Sequence, residues 1–422
     1  MRLSRRILLL LVATIGLAAT ALAQGKFHLR DRDTVVFYGD SITDQRLYTT
    51  FTESYVLTRF PHFRIRFVHS GVGGDRVTGG WAGPIDLRLR RDVLAYQPTV
   101  MTIMLGMNDG SYRAWDDAIF KTYSTGYEQI IGSMKKAAPG LRITVIQPSP
   151  FDDVTRPPTF EGGYNAVLVR YAQFVKQLGE RNGLVVADLN APVVATLEKA
   201  KTADPELAQK IIEDRVHPGE GGHMIMAEAL LKAWNAPRTV VSVEIDAGSK
   251  RVVHAENTKV AELRAAQGLS WTETDEALPF PLPQPLDSVN KAFALAVRSS
   301  DFVEALDQEP LKVTGLAASR YTLTIDGEKA GDFTREELEK GINLAVLPTP
   351  MVKQAGQVHD LTLKHNDIHF ARWRSVQVAL QDYKFAHEQA AADALDKLEE
   401  EVVQQQRATA QPMTRHYVLA PE

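Results

Sequence analysis

A serine near the start of the chain and an Asp–His pair far behind it form the most reactive combination in the sequence. Ser41 lies in the string Gly-Asp-Ser-Ile-Thr at residues 39–43, and Asp214 precedes His217 by three positions. A serine hydroxyl becomes a nucleophile when an imidazole takes its proton and a carboxylate holds that imidazole in one tautomer. The short gap lets Asp214 and His217 meet within one tight loop. These residues therefore predict attack by Ser41 on an acyl group.

Two further strings have residues that could donate hydrogen bonds to the oxygen of the attacked carbonyl. Residues 71–75 read Gly-Val-Gly-Gly-Asp, and glycines let a backbone N–H approach a ligand closely. Residues 106–109 read Gly-Met-Asn-Asp, where the side-chain amide of Asn108 could face an oxyanion. Taken singly, each string also has a structural explanation. Asp and Ser commonly cap helices, and Gly-Gly-Asp and Asn-Asp-Gly commonly form turns.

The elements that must position these residues are short apolar runs separated by amphipathic stretches. The apolar runs cover residues 34–38, 65–68, 99–105, 143–146 and 184–187. Helical periodicity is clear over residues 123–137 and 164–180. Buried strands alternating with helices predict an α/β fold with a parallel sheet covered on both faces. Each chemical string follows a strand or precedes the last helix, so all should meet at one edge of the sheet.

Together these strings resemble the SGNH hydrolases, also called the GDSL esterase/lipase family, over residues 31–237. The resemblance implies a flavodoxin-like, three-layer α/β/α domain. It implies that Ser41 is the nucleophile, His217 the general base and Asp214 its orienting acid. It also implies an oxyanion hole made of the Ser41 N–H, the Gly74 N–H and the Asn108 side chain. The G-x-S-x-G string of the rival serine-hydrolase fold is absent around Ser41.

The N-terminus and the composition indicate export. Three arginines precede an apolar run over residues 7–17 and an Ala-Leu-Ala string that ends at Ala23. This layout predicts a cleaved signal peptide over residues 1–23, with an uncleaved membrane anchor as the alternative. The chain has no cysteine, which excludes disulfides, thiolate metal sites and a cysteine nucleophile. We expect a periplasmic or secreted bacterial protein, and the net charge of -4 gives no reason to expect a nucleic-acid partner.

The sequence pattern changes near Pro237. We expect a catalytic domain over residues 24–237, an accessory domain with β-strands and a long charged helix over residues 238–410, and a poorly ordered tail over residues 411–422. A proline-rich stretch over residues 279–285 is typical of a stiff connector. We expect the charged helix to pair within its own domain.

Two other groups of side chains are candidates for binding. Five aromatic residues fall near the predicted catalytic edge and could line a substrate cleft or simply pack: Trp81, Tyr112, Trp115, Phe151 and Tyr164. The histidines His359, His365 and His369 crowd one segment, but their spacing matches no familiar zinc pattern. A polar strand or turn is the favoured interpretation of that segment. We expect no metal and no organic cofactor.

The sequence therefore favours an exported carboxylic ester hydrolase that acts through an acyl-enzyme on a small-molecule or glycan ester, with carbohydrate acetyl esters as the favoured substrates. A lysophospholipase or thioesterase is the alternative enzyme. A non-catalytic carbohydrate-binding or envelope scaffold protein is the alternative of another class. The sequence leaves the oligomeric state open.

Overall fold

The structure of the protein is a computed structural model that describes residues 26–265, 268–288 and 290–422. The expected signal peptide, residues 1–23, lies outside the described residues. No helix within the three described stretches has the length and apolar character needed to cross a membrane.

Short strands and helices alternate in the first half of the chain. The strands are β1 (Thr34–Gly39), β2 (Arg66–Gly71), β3 (Gly79–Gly80), β4 (Gly83–Pro84), β5 (Val100–Met104), β6 (Arg142–Gln147) and β7 (Val185–Asp188). The helices are α1 (Ser41–Asp44), α2 (Leu47–Arg59), α3 (Ile85–Asp92), α4 (Asp117–Ala137), α5 (Tyr164–Asn182), α6 (Ala191–Ala203), α7 (Pro205–Ala208) and α8 (Glu220–Ala233). The five apolar runs coincide with β1, β2, β5, β6 and β7, so these strands were predicted correctly.

Five of these strands form one parallel sheet in the order β2-β1-β5-β6-β7. Every residue of β5 is buried, and so are all but the first residue of β1. Such continuous burial is expected of parallel strands covered by helices on both faces. The α/β fold with a parallel sheet is therefore confirmed. Because β1 lies between β2 and β5, the loops that follow these three strands open at the same edge.

The second half of the chain contributes two further sheets and a pair of long helices. Its strands are β8 (Ser242–Asp246), β9 (Arg251–Glu256), β10 (Thr258–Ala265), β11 (Leu269–Asp275), β12 (Pro310–Thr314), β13 (Arg320–Ile325), β14 (Glu328–Thr334), β15 (Ile342–Asn343) and β16 (Arg415–Pro421). Its helices are α9 (Lys291–Ser299), α10 (Phe302–Leu306), α11 (Arg335–Lys340), α12 (Pro350–Phe370) and α13 (Glu388–Thr409), with a π-helical stretch at Ala371–Val378. The sheets have the strand orders β10-β11-β16-β13-β14 and β15-β12-β8-β9. The expected mixture of strands and a long charged helix is present.

The end of the chain is a strand, so the expectation of a poorly ordered tail over residues 411–422 was wrong. β16 lies in the middle of its sheet, between β11 and β13. Tyr417 and Leu419 are fully buried, whereas the residue between them is only half-buried. This alternation is that of a strand with one face on a core, but it is short and its partner strands lie far away in the sequence.

The histidine-rich segment is a helix and not the polar strand or turn that we expected. Thr349 caps α12 by accepting a hydrogen bond from the Val352 N–H at 3.2 Å, and Pro350 occupies the first helical position. His365 and His369 are one turn apart and both are buried. The segment is rich in residues of modest helix propensity, and its packing against α2 outweighs that preference.

The expected domain boundary at residue 237 separates the two halves only in part: the strands after it have a core of their own, but residues 280–306 join the core of the first half. Phe280, Phe293 and Phe302 belong to the same apolar core as the parallel sheet, and α9 packs on α8. The proline-rich connector is likewise buried, because its apolar residues enter this core. The charged helix α13 pairs with α12 as expected, but α12 lies on α2 of the first half. The second half therefore covers part of the first.

Candidate active site

The site begins where β1 ends and α1 starts. Asp40 is the N-cap of α1 and accepts a backbone hydrogen bond from the helix, and Ser41 is the first helical residue. A Cβ on Gly39 would lie 2.2 Å from the Thr43 Oγ1 and 2.8 Å from the carbonyl oxygen of Met104. Only glycine fits at this crowded turn, which places the Ser41 hydroxyl at the carboxyl edge of the sheet.

Ser41, His217 and Asp214 form a continuous chain of hydrogen bonds. The Nε2 of His217 lies 2.9 Å from the Oγ of Ser41, and its Nδ1 lies 2.6 Å from the Oδ2 of Asp214. An ionised carboxylate can only accept, so Nδ1–H donates to Asp214 and Nε2 is left to accept from the Ser41 hydroxyl. The structure thus brings together the three residues that the sequence singled out, in an order that suits proton removal from Ser41.

A tight loop holds the Asp–His pair. The Oδ1 of Asp214 accepts hydrogen bonds from the N–H groups of Val216 at 2.9 Å and His217 at 2.7 Å. Arg215 has φ of 72°, a left-handed conformation, and its carbonyl oxygen accepts the N–H of Asp152 at 2.9 Å. The loop is therefore fixed both internally and to the segment that follows β6.

The environment of Asp214 favours its ionised form. Burial acts to raise its pKa, but the hydrogen bonds from the His217 imidazole and from two backbone N–H groups outweigh burial and lower the pKa below the ordinary 3.8. The side chain is 55% exposed, so solvent also supports its charge. Asp214 is therefore an anion under any condition in which the imidazole can act as a base.

The groups expected to form the oxyanion hole keep N–H hydrogens available for a substrate oxygen. Among the described residues, the backbone N–H groups of Ser41 and Gly74 have no hydrogen-bond acceptor. The Nδ2 of Asn108 donates to the carbonyl oxygen of Asp75 at 3.2 Å, and its Oδ1 accepts the Tyr112 hydroxyl at 3.0 Å. These two bonds fix the orientation of the amide and leave one of its two hydrogens for another acceptor.

The loop after β2 lies directly against α1. The N–H of Gly73 donates to the Oδ2 of Asp44 at 3.0 Å, and a Cβ on Gly73 would lie 3.9 Å from the Cβ of Ser41. Gly74 has φ of 79°, which glycine adopts without strain. These contacts place the Gly73–Gly74 peptide beside the hydroxyl of Ser41.

A sequence model of the GDSL-like lipase/acylhydrolase family matches residues 37–225, which include Ser41, Asp214 and His217. This part of the chain is therefore similar to that family. An acetylxylan esterase from Geobacillus stearothermophilus is 29% identical over 220 residues, which are 47% of this chain and 92% of the relative. The protein is accordingly an ester hydrolase.

The similarity to one solved structure extends beyond the matched region. A gut microbial diltiazem-metabolizing enzyme is 27% identical and superposes with a TM-score of 0.83. The superposition covers 93% of this chain and 98% of that enzyme. The fold of the second half is therefore shared with another protein.

Three buried carboxylates lie behind the strings of the candidate site, and sequence analysis gave them no role. Burial raises the pKa of Asp40 to about 8 and that of Asp109 to about 7. Asp109 accepts the N–H of Val77 at 2.9 Å, and Asp75 is paired with Arg88 at 2.8 Å. These contacts tie together the loops after β2 and β5. The sequence does contain a pattern that points to them: each of the three strings that follow a strand includes an acidic residue.

The five aromatic residues expected in the cleft divide into different environments. The Tyr112 ring lies 5.1 Å from that of Tyr164 and 6.4 Å from that of Phe151. Only Tyr112 is exposed in this group, whereas Phe151 and Tyr164 are buried. Trp115 contacts Phe120, Tyr171 and Arg170, which belong to α4 and α5. Trp115 therefore packs on these two helices.

The remaining aromatic, Trp81, is held at the site by a residue from the second half of the chain. Trp81 is 62% exposed, and its Nε1–H donates to the carbonyl oxygen of Gly73 at 3.0 Å. The guanidinium of Arg374 lies 4.3 Å from the Trp81 ring centroid and 3.2 Å from the Oδ2 of Asp44. Sequence analysis missed Arg374 because 330 positions separate it from Asp44.

The histidine cluster binds carboxylates and lies among helices. His365 is 3.0 Å from Glu53 and 3.2 Å from Glu399, and His359 shares a hydrogen bond with Ser54 at 2.9 Å. Within the three described stretches, no group of three or more His, Cys, Asp or Glu side chains is arranged to hold a metal ion.

Proposed function

We propose that the protein is an exported serine esterase in which Ser41, His217 and Asp214 are the catalytic triad and acetyl esters of carbohydrates are the substrates. The observation that carries the proposal is the pair of hydrogen bonds, 2.9 Å and 2.6 Å long, that link the Ser41 hydroxyl through His217 to Asp214. A binding module has no need of this relay. The layout of residues 1–23 supports export.

The mechanism is a two-step acyl transfer. The Ser41 Oγ attacks the ester carbonyl carbon while the Nε2 of His217 takes its proton, and the carbonyl oxygen becomes an anion. The N–H groups of Ser41 and Gly74 and the amide of Asn108 stabilise that oxygen. The bond to the alcohol then breaks, and His217 gives the alcohol its proton. A water molecule, deprotonated by His217, attacks the acyl-enzyme; the bond between the acyl carbon and the Ser41 oxygen breaks, His217 returns the proton to that oxygen, and the acid leaves.

Two observations support a small acyl group and a bulky alcohol. The relative that is 29% identical over nearly its whole length acts, by its name, on acetylxylan. The exposed rings of Trp81 and Tyr112 flank the loops beside Ser41, and exposed aromatic faces bind sugar rings well. We therefore place the sugar near these two rings and the acetyl group at the nucleophile.

The test compares esters of different acyl lengths with the protein and a Ser41→Ala variant. We expect rapid hydrolysis of p-nitrophenyl acetate, slow hydrolysis of the octanoate and palmitate esters, and release of acetate from acetylated xylan. Ser41→Ala should lower kcat by at least about 10³-fold while binding of acetylated xylan survives. Ser124→Ala, on the exposed side of α4, is the matched control and should leave kcat unchanged.

Three results would contradict the proposal. A strong preference for long acyl chains would replace it with a lysophospholipase or thioesterase. Binding of acetylated glycans without turnover by the unmodified protein would indicate a scaffold or binding function. Full activity of Ser41→Ala would remove the triad assignment itself.

A further inference from the structure

A segment outside the family match packs directly on the loop that follows β2. Trp373 and Val378, both in the π-helical stretch Ala371–Val378, form a buried apolar cluster with Val72 and Ala82. The Nε1–H of Trp373 also donates to the Oδ1 of Asp92 at 2.7 Å. The second half of the chain is thus in contact with both ends of the loop that carries the Gly73–Gly74 peptide.

Within this loop, both hydrogen-bonding groups of Gly73 are occupied. The N–H of Gly73 donates to the Oδ2 of Asp44, and its carbonyl oxygen accepts from the Nε1–H of Trp81, each at 3.0 Å. The Gly73 carbonyl and the Gly74 N–H are the two ends of one planar trans peptide, so they point in opposite directions. A donor that fixes the Gly73 oxygen therefore also fixes the direction of the Gly74 N–H.

Arg374 contacts both side chains that hold Gly73. Its Nη2 lies 3.2 Å from the Asp44 Oδ2, and its guanidinium carbon lies 4.3 Å from the centre of the Trp81 ring. The stacked guanidinium limits rotation of an indole that is otherwise 62% exposed. Because two consecutive glycines have wide conformational freedom, the peptide between them needs such external restraints.

We propose that Trp81 and Arg374 are positioning residues that orient the Gly73–Gly74 peptide so that the Gly74 N–H faces the carbonyl oxygen of the substrate. The second half of the chain thereby completes the catalytic site through Arg374. This inference rests on the proposed roles of Ser41 and Gly74. It assigns a function to a region that the family match does not reach.

The test uses Trp81→Phe, which keeps an aromatic face but removes the N–H donor, and Arg374→Met, which keeps an apolar stem but removes the guanidinium. Each should lower kcat about 10- to 100-fold and change KM less than about threefold, because a misdirected oxyanion donor costs transition-state stabilisation and not substrate binding. Arg372→Met is the matched control. Arg372 lies in the same stretch but pairs with Asp396, so its kcat should stay at the wild-type value.

Two further measurements separate positioning from loss of structure. A boronic acid that adds to the Ser41 hydroxyl forms a tetrahedral adduct with an oxygen in the oxyanion position, so its affinity should fall in parallel with kcat. The double variant should be little worse than the poorer single variant, because both changes act on the same peptide. Circular dichroism checks that each variant is folded. If Arg374→Met does not fold, Trp81→Phe still tests the proposal, because it alters an exposed ring.

The outcomes are distinct from those of the proposed function. Folded Trp81→Phe and Arg374→Met variants with wild-type kcat and wild-type boronic acid affinity would overturn the inference while leaving the triad intact. A rise in KM with unchanged kcat in both variants would also overturn it, because the two side chains would then support substrate binding and not the orientation of the Gly74 N–H. An active Ser41→Ala variant would instead remove the proposed function.

Discussion

At the scale of single residues, Asp214, the proposed orienting residue, is unusually exposed. More than half of its side chain faces solvent, yet its two carboxylate oxygens accept three N–H groups from its own loop. These bonds lower its pKa and fix the acceptor for the Nδ1 of His217. Local hydrogen bonds therefore do for Asp214 what burial does for the orienting carboxylate of other serine hydrolases.

Replacing Asp214 by Asn should lower kcat by roughly 10²- to 10⁴-fold, because the amide neither stabilises the imidazolium nor enforces the tautomer. Since the pKa of Asp214 is lowered from 3.8, any acid limb of the wild-type kcat profile above that pH must come from another group. The measurement is kcat against pH with p-nitrophenyl acetate. Glu213→Gln is the control, because Glu213 pairs with Lys210 and should not affect kcat. Wild-type turnover by Asp214→Asn would exclude an orienting role.

The candidate site residues that lie in local sequence strings could be predicted from the sequence. Those that folding brings to the site from distant positions could not. Ser41, Asp214 and His217 could be found because each follows or precedes a recognisable element and their chemistry is specific to serine hydrolysis. Arg374 carries no signal of its own, since only folding brings it to Asp44.

At the scale of elements, a buried ion cluster joins α2 to the helical pair α12 and α13. His365 on α12 lies between Glu53 on α2 and Glu399 on α13, at 3.0 Å and 3.2 Å. Burial alone would lower the pKa of His365, but the two glutamates raise it to about 10. Burial acts to raise the pKa of Glu53, but His365 and His69 lower it to about 2. The cluster is therefore charged at neutral pH and ties both helices to α2.

Replacing His365 by Gln should lower the free energy of unfolding by about 3–5 kcal/mol near neutral pH, because two buried carboxylates lose their cation. A histidine with a raised pKa stabilises fully below its unfolded value of 6.5, and this contribution is lost as pH rises toward about 10. Over that range the wild-type free energy should fall more steeply than that of the variant, by at most about 1.4 kcal/mol per pH unit. Chemical denaturation from pH 6 to pH 10 measures both effects.

The exposed His254 of β9 provides the control for this pH dependence. His254→Gln should change the stability by no more than about 0.5 kcal/mol, because the side chain is half exposed and its nearest partner, Glu256, lies 3.8 Å away. A His365→Gln variant that keeps the full alkaline decline of the wild type would show that another group is responsible.

The elements themselves were predictable where their signal is local. Apolar runs gave the five parallel strands. The sequence pattern did not predict α12 as a helix, because its many polar residues obscure the periodicity of its buried face. It did not predict β16 as a strand, because the alternation there covers few residues. In both cases tertiary packing decides the structure, and a single sequence carries little information about it.

At the scale of the whole molecule, the second half is built into the first. Phe280, Phe293 and Phe302 lie in the core beneath α2 and α8, and Arg59 of α2 pairs with the buried Asp307 at 3.6 Å. The change of pattern at Pro237 therefore marks the start of a second core, but it does not mark the end of the first, which residues 280–306 complete. A composition shift reveals a change in the type of structure. It cannot reveal which residues of the second half join the core of the first, since nothing in the sequence states which face a later helix will cover.

The last prediction follows from this shared core. A fragment that ends at residue 237 should fail to unfold cooperatively and should have no esterase activity, although it contains Ser41, Asp214 and His217. Loss of three buried phenylalanines alone removes about 1.5–3 kcal/mol each, and their sum approaches the 5–15 kcal/mol that stabilises a typical protein. Thermal unfolding followed by circular dichroism, together with p-nitrophenyl acetate hydrolysis, measures both properties.

Cleavage of the backbone at one position, without loss of any residue, is the control for this deletion. The loop between the π-helical stretch and α13 is exposed at Tyr383 and Phe385, so a protease site engineered there can be cleaved without loss of any core residue. The nicked protein should keep its fold and activity, because both pieces remain packed on the parallel sheet. If the fragment 24–237 instead folds cooperatively and hydrolyses esters at the wild-type rate, the buried phenylalanines contribute little, and Arg374 cannot be needed to orient the Gly73–Gly74 peptide.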